Sequence, residues 1–540
     1  MSERSTHGSR VLSIAGGTLA SRLTGLLRVL VLAWVLGFSP LADAFNLANT
    51  VPNMLFDLVL GGIASATFIP VFIERLALDG ERRAWKSISS VVTGALMVLF
   101  VASVFAWILA PWIIDGFTLM HHSNTAQPLL VVTRQRAVAT SLLRWFVPQI
   151  FFYGVIGIAT ALLNVRRRFG AASWVPVANN FVCIAVLVWF HLVDPSPTLQ
   201  SIEGSTHLLW LGLGTTMGVA IQFLCLVPSL ARSDLWRLSL RFNRKDPALR
   251  AIGRLGSWTL LVVVANQLSL YVILAFAFGI GGDGPVSAYT YGWSLMQMPY
   301  AVVVVSVLSA LTPQLSGLAT AQDYAGLSER LRFGLRQSLV IIIPCTLVLL
   351  ILAQPIVAIL LNHVNLLNHE NASHVLAAGT VLAVLAAGLP GFTVFQLCVR
   401  GLQSMQRARE VFYLYALQNA LTIALAIVLG RHSIAGLTSS ISIAYTVGAV
   451  VALATLARHQ VSIAPVIWSV HVRRSLWASL GAAITMALTY AASGATRGAG
   501  LVGRFSTAAV AGLLVYALLV LVSQWRLARR SGKGARLRSF

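Results

Sequence analysis

Acidic side chains are scarce in this sequence: 16 Asp and Glu in 540 residues, against 39 Lys and Arg. Charged residues make up only 10% of the chain, where an average soluble domain carries about 25%. So few charges cannot cover a water-facing surface of this length, which excludes a soluble globular enzyme and a disordered chain. Cysteine is just as sparse. Cys183, Cys225, Cys345 and Cys398 all fall inside apolar runs and form no Cys-x-x-Cys pair, so neither a disulfide scaffold nor a metal centre is expected. Two further motifs are missing. There is no Asp-Asp-x-x-Asp cluster for metal-bound diphosphate chemistry, and no Gly-x-x-x-x-Gly-Lys-[Ser/Thr] loop that would let the chain drive itself with ATP. His121-His122 reads as a surface pair rather than a zinc site. The loops are too short for an extramembrane catalytic domain, so the chain is not expected to be an enzyme, and no cofactor or metal is expected.

What is abundant is hydrocarbon. Apolar residues are 57% of the chain and the mean hydropathy is +0.81. A membrane-crossing helix needs about 20 predominantly apolar residues. Windows bounded by loop signals give fourteen, at 11–37, 41–74, 87–114, 139–163, 171–193, 207–231, 251–281, 285–318, 337–362, 374–399, 411–430, 433–457, 475–492 and 503–525. They are called spans 1–14 below. The expected fold is all-α and polytopic. Met1 to Arg10 is short and polar, and the run behind it is interrupted by Arg22 and Arg28, unlike a signal peptide.

The basic excess would point to nucleic acid in a soluble protein, but its distribution says otherwise. With the N-terminus inside, 31 of the 39 Lys and Arg fall in inside loops or tails, five (Arg134, Arg136, Arg431, Arg497, Arg504) fall outside, and Arg22, Arg28 and Arg144 lie within spans. This is the positive-inside bias of a membrane protein, and an even number of spans puts both termini in the cytoplasm. No nucleic-acid partner is needed. Segment 232–250, Arg-rich with Leu and Trp236, reads as an interfacial amphipathic stretch on an anionic leaflet.

The two halves resemble each other. Asp43-Ala44-Phe45 opens span 2 as Ser287-Ala288-Tyr289 opens span 8, 244 positions on; Pro70 and Pro313 are 243 apart, and Pro148 and Pro390 are 242 apart. Arg168 and Asn180 match Arg407 and Asn419 at 239. Near-constant offsets in register with the span count imply two similar six-helix lobes of equal orientation, plus two helices outside the symmetry. The expected division is an N-lobe 1–231, a cytoplasmic linker 232–250, a C-lobe 251–457, spans 13–14 within 458–525, and a basic tail 526–540.

Several polar residues sit where lipid would disfavour them. Span 2 carries Asp43, Asn46, Thr50, Asn53 and Asp57 at spacings of 3, 4, 3 and 4, which puts them on one helical face. Interhelical hydrogen bonding accounts for one or two such residues. Five with two carboxylates point to a water-filled cavity, and Pro52 among them suggests a kink. Span 1 adds Arg22 and Arg28. For Arg22, snorkelling or an ion pair with Asp43 or Asp57 weighs evenly against a functional role, whereas Arg28 lies deeper. Arg144, at the outer end of span 4, reads as an interfacial anchor. Span 8 repeats the polar face with Thr290, Ser294 and Gln297 ahead of Pro299, and span 7 offers Asn266 and Gln267. A guanidinium fork suits a phosphate or carboxylate, so the cavity is expected to take an anion.

The run Ser21-Arg22-Leu23-Thr24-Gly25-Leu26-Leu27-Arg28, with Ala42-Asp43-Ala44-Phe45, Val51-Pro52-Asn53 and Phe68-Ile69-Pro70, resembles the N-terminal signature of the MurJ/MviN lipid II flippases, within the multidrug/oligosaccharidyl-lipid/polysaccharide exporter superfamily. Asn164-Val165-Arg166-Arg167-Arg168-Phe169 and Tyr291 to Pro299 extend the likeness, and the 6+6+2 plan agrees. Gly61-Gly62 and Trp293-Ser294 look like actinobacterial members, many of which add a large C-terminal domain where this chain has only the tail Arg526 to Phe540. The resemblance implies transfer of the undecaprenyl-diphosphate-linked peptidoglycan precursor, lipid II, from the inner to the outer leaflet of the bacterial cytoplasmic membrane by alternating access. It implies arginines in spans 1, 2 and 8 that meet the diphosphate, and a lipid-tail groove at spans 13–14. Arg22, Arg28 and Asp43 match the family's polar positions. The span 2 arginine position instead falls at Phe56 or Asp57, and the span 8 position is Ser294, so Arg28, helped by Arg22, carries the positive charge. The expected substrate contacts are Arg22, Arg28, Asp43, Asn46, Asn53, Ser294 and Gln297. Expected partners are lipid II, membrane lipids and cell-wall synthesis proteins, the chain itself being monomeric. The alternatives are an exporter of another polyprenyl-linked glycan or small molecule, and a non-transporting scaffold for cell-wall synthesis.

Overall fold

The structure, a computed structural model, describes residues 2–540 apart from 62–71, 73–80, 121–128, 167–168, 233–237, 244–245, 282–283, 362–369, 432, 493–498 and 537–540. Of the residues singled out above, Gly62, Phe68-Ile69-Pro70, His121-His122, Arg167-Arg168, Trp236 and Arg497 lie outside the described set.

Among the described residues there is no strand, and thirteen helices are long and apolar enough to cross a membrane, from Gly16–Leu36 to Val502–Val522. Each corresponds to one expected span. The fourteenth, span 2, is the helix Pro40–Phe56 continued by the π-helical segment Asp57–Gly61.

Serine hydroxyls set several of the starts by accepting a backbone N–H that a helix cannot satisfy itself. Ser39 accepts from Ala42 N at 3.1 Å ahead of span 2, with Pro40 in the first turn, where its missing N–H costs nothing. Ser433 does the same for Gly436 N at 3.0 Å ahead of span 12, and Asp323 caps span 9 through Gly326 N at 2.8 Å.

Proline acts differently in the two halves. Span 4 is two helices, Leu129–Phe146 and Pro148–Val165, interrupted before Pro148. Its counterpart Pro390 stays within the unbroken helix Glu370–Ser404. Proline removes one helical hydrogen bond and clashes with the carbonyl four residues back, and neighbouring helices decide whether the chain breaks or absorbs it. Spans 2 and 8 both resolve the strain by local overwidening. Pro52 is followed by the π segment Asp57–Gly61, and Pro299 by the π segment Tyr300–Val304. The two segments begin 243 positions apart, the same offset that relates the sequence halves.

The chain forms two compact units, Met1–Tyr291 and Gly292–Phe540. In the first, span 6 packs on spans 4 and 5, span 3 on span 4, span 1 on span 5, and span 7 against spans 2 and 3. In the second, span 12 packs on spans 10 and 11, span 9 on span 10, and spans 13 and 14 on each other. Span 6 on 4 and 5 thus has its counterpart in span 12 on 10 and 11. Small residues allow the closest of these approaches, as is usual in membranes, where helices gain nothing by hiding apolar surface from water. A side chain at Gly388 of span 10 would meet Ser442 Cα of span 12 at 2.7 Å, and Ser442 donates to Val384 O at 2.8 Å.

Large apolar side chains lie exposed on span 3 (Phe100, Phe105, Trp107, Trp112) and span 14 (Leu513, Leu514, Leu518, Leu521). In a polytopic chain such faces meet lipid. Arg144, expected as an interfacial anchor, stacks over Trp107 at 5.2 Å from the ring centre.

Three helix-terminating turns use glutamine in the left-handed region: Gln322, Gln406 and Gln460 have φ of 57°, 58° and 62°. A residue with a Cβ pays about 1–2 kcal/mol there. Gln406→Gly, in the turn between spans 10 and 11, is expected to stabilise the protein by about 1 kcal/mol, read as a higher melting temperature in detergent. An unchanged or lower value would show that the glutamine side chain makes up the difference.

Candidate functional site

Asn180 of span 5 fastens span 1. Its amide donates to Ser21 O at 3.2 Å and Thr24 Oγ1 at 3.0 Å, beside Gly25. Since Ser21, Gly25 and Arg28 share a face of span 1, this contact aims Arg28 inward. Arg28 is half-buried, and its guanidinium bears electrostatically on Cys183 of span 5 and on Tyr153 of span 4. Arg22, nearly two turns earlier, is exposed. The two arginines thus separate: one belongs to the interior of the helix bundle, the other to its surface.

Among the described residues, those around Arg28 are polar and uncharged. The Tyr153 hydroxyl donates to Gln149 Oε1 at 3.5 Å and interacts with the Asn53 side chain of span 2, whose amide donates to Asn49 O at 3.1 Å; the Tyr153 ring stands 5.9 Å from that of Phe56. Gln149, fully buried, donates to Thr216 Oγ1 of span 6 at 3.0 Å, and Thr216 donates to Trp145 O at 2.7 Å. Cys183 donates to Asn179 Oδ1 at 3.3 Å. Spans 1, 2, 4, 5 and 6 therefore each contribute to one polar seam holding one fixed positive charge. Neutral hydrogen-bonding groups hold the guanidinium without neutralising it. In a medium of lowered dielectric such a charge attracts an anion far more strongly than in water.

The span 2 stripe divides along its length. At its N-terminal end Asp43, 2% exposed, accepts from Ser287 N at 2.8 Å, from Ser287 Oγ at 2.6 Å and from Val286 N at 3.4 Å. These are first-turn donors of span 8, so Asp43 caps the N-terminus of another helix and sets a carboxylate against its positive dipole end. Asn46, also buried, donates to Ser287 Oγ at 3.0 Å. Tyr291 OH donates to Gly37 O at 3.4 Å, its ring edge-on to Phe38, and Gln135 Nε2 donates to Pro40 O at 3.0 Å. Asp43 and Asn46 are thus committed to a latch joining the starts of spans 2 and 8. Thr50 bonds back to Asn46 O at 2.7 Å. Farther along, Asn53 is exposed and belongs to the Tyr153 group, while Asp57 accepts from Gln267 Nε2 of span 7 at 3.1 Å.

Ser294 and Gln297 are half-buried in span 8 and belong to the second unit. Tyr153, Gln149, Asn179 and Thr216 were not among the sequence candidates. Their signal was present: Gln149 and Tyr153 are four apart inside an apolar span, and Asn179-Asn180 interrupts another. Ser287, read from sequence only as the repeat counterpart of Asp43, turns out to be its hydrogen-bond partner.

A chain described as lipid II flippase MurJ from Burkholderia cenocepacia is 29% identical over 406 residues, 73% of each chain. A solved structure of lipid II flippase MurJ in an inward closed conformation superposes with a TM-score of 0.74 at 18% identity, covering 95% of this chain and 99% of that one. An inward-facing multidrug resistance transporter of the MATE family, in the MOP superfamily, gives 0.65 at 13% identity over 84% of this chain and 99% of its own. Those two likenesses speak for the fold. The family model described as "Lipid II flippase MurJ" matches residues 32–511, and on that match the chain belongs to the lipid II flippase MurJ family.

Proposed function

We propose that this chain moves lipid II, the undecaprenyl-diphosphate-linked peptidoglycan precursor, from the inner to the outer leaflet of the cytoplasmic membrane by alternating access. The observation that supports this above others is Arg28, held half-buried among uncharged hydrogen-bonding groups from five spans. A diphosphate presents paired anionic oxygens that a guanidinium fork binds bidentately. Asn53 and the Tyr153 hydroxyl serve as further donors, and Arg22 meets the anion on entry. Asp43 and Asn46 serve as the latch rather than as ligands: the cavity is closed at the outer end while Asp43 caps span 8, and opens there when that cap is released.

Both termini face the cytoplasm in this reading, as the 31-to-5 division of basic residues requires. Residues 1–231 and 251–457 are the two lobes of the repeat, and spans 13–14 hold the polyprenyl chain. An ion gradient or the membrane potential supplies the energy.

The test is a leaflet-resolved assay of lipid II in cells whose only flippase is this chain. Lipid II is expected to reach the outer leaflet, and to accumulate inside when expression is stopped. Growth supported without lipid II reaching the outer leaflet would overturn the proposal in favour of a scaffold.

A further inference from the structure

A cavity of about 330 Å³ lies between spans 3, 4 and 6, and none of its lining residues belongs to the Arg28 seam. Its walls are hydrocarbon: Leu96 from span 3, Val155 and Ile158 from span 4, Phe223 and Val227 from span 6. Leu238, from the segment that follows span 6, also lines it. The volume is at the lower end of the range for ligand pockets, about 300–1,000 Å³. With no polar groups to hold it, water does not fill such a space well.

The segment carrying Leu238 is fixed in place. Residues 238–243 are non-helical and run along span 3, where hydroxyls receive their backbone N–H groups: Ser239 N to Ser89 Oγ at 3.1 Å, Arg241 N to Thr93 Oγ1 at 3.2 Å and Asn243 N to Ser90 Oγ at 2.9 Å. Leu240 and Phe242 face outward, 90% and 49% exposed. Basic residues gather at the same ends of the lining helices. Lys86 and exposed Arg83 begin span 3, Arg166 ends span 4 with its guanidinium 5.6 Å from the Trp85 ring, and Arg232 ends span 6. Residues 232–246 hold Arg232, Arg237, Arg241, Arg244 and Lys245 against Asp234 and Asp246. Beside the cavity, Met97 and Val98 of span 3 and Leu224 of span 6 are exposed apolar residues, so lipid has lateral access.

We propose that this cavity is a phospholipid site: one acyl chain of an anionic phospholipid lies in it beneath Leu238, with the headgroup among Lys86, Arg166, Arg232 and Arg241. Charge selects the occupant. An apolar cleft alone would take any hydrocarbon chain, but basic side chains at the membrane surface favour an anionic headgroup. The leaflet, the inner one, rests on the topology proposed above; the binding itself does not depend on transport. Occupancy pins residues 238–243 against span 3 and thereby steadies the connection between spans 6 and 7.

The experiment is native mass spectrometry of the purified full chain delipidated in detergent. It is titrated with phosphatidylglycerol, phosphatidylcholine of the same acyl chains, and undecaprenyl phosphate. One phosphatidylglycerol per chain is expected to be retained with about tenfold preference over phosphatidylcholine. Val155→Phe and Val227→Trp, which fill the cavity, should each cut that retention at least about fivefold. Arg241→Ala should lower the headgroup preference and leave phosphatidylcholine binding unchanged. Val227 is 40% exposed, so Val227→Trp carries the test if Val155→Phe fails to fold. Equal retention of the two phospholipids, retention indifferent to both filling variants, or displacement by undecaprenyl phosphate would each overturn the proposal. Failure of lipid II transport with phosphatidylglycerol retention intact would bear on the transport reading alone.

Discussion

Arg28→Ala is expected to leave a stable, membrane-inserted protein that no longer rescues a flippase-depleted cell. Among the described residues around it, Tyr153, Cys183, Asn53, Gln149 and Asn179, the guanidinium is the one charge. Removing it leaves those neighbours their own hydrogen bonds, so folding is spared while the anion loses its partner. Charge-assisted hydrogen bonds are each worth about 1.5–3 kcal/mol, which corresponds to a loss of roughly 10- to 150-fold in headgroup affinity. Arg28→Lys keeps the charge but loses the planar fork and should rescue partially. Arg22→Ala, at an exposed position, should have the smaller effect. The measurement is growth on depletion of the resident flippase, paired with the amount of protein in the membrane fraction. Full rescue by Arg28→Ala would remove it from any substrate role.

Asp43→Ala should act through conformation. The change strips the acceptor from Ser287 N, Ser287 Oγ and Val286 N, three donors in a buried first turn. Each unsatisfied donor costs about 1–3 kcal/mol. With some relaxation the latched arrangement should lose about 2–4 kcal/mol, a shift of roughly 30- to 1,000-fold in its population. Asp43→Asn keeps an acceptor and gives up the charge that favours the helix N-terminus, so it should fall between. The readout is labelling of Thr290→Cys by a membrane-impermeant maleimide added outside, in a background with the four native cysteines replaced by serine. Asp43→Ala is expected to raise labelling and abolish rescue. Unchanged protection at position 290 would show that Asp43 does not hold the latch.

The spans and the repeat were legible because both are properties of long windows, where composition averages over local detail. The depth of Arg28 was also legible, since its distance from the polar N-terminus is written in the chain. What a sequence pattern could not say was which polar residues would find one another. Asp43 and Asn53 lie on one helical face, yet one is closed against Ser287 and the other stands beside Tyr153, because different helices cover different lengths of span 2. Gln149 and Thr216 were passed over for the opposite reason: single uncharged polar residues in apolar spans are common, and only packing shows that these two meet. The break before Pro148 and the unbroken helix through Pro390 make the same point for backbone, as identical residues at equivalent positions received different neighbours.

The π segments at Asp57–Gly61 and Tyr300–Val304 bear on the protein's history. A π turn places one extra residue in the helix, and one residue turns everything beyond it by about 100°. Here both halves carry it, 243 positions apart. The simplest origin is a single insertion in an ancestral half-length chain, tolerated before duplication and copied with it. The duplicated gene then inherited the same change of phase at the same position in each half.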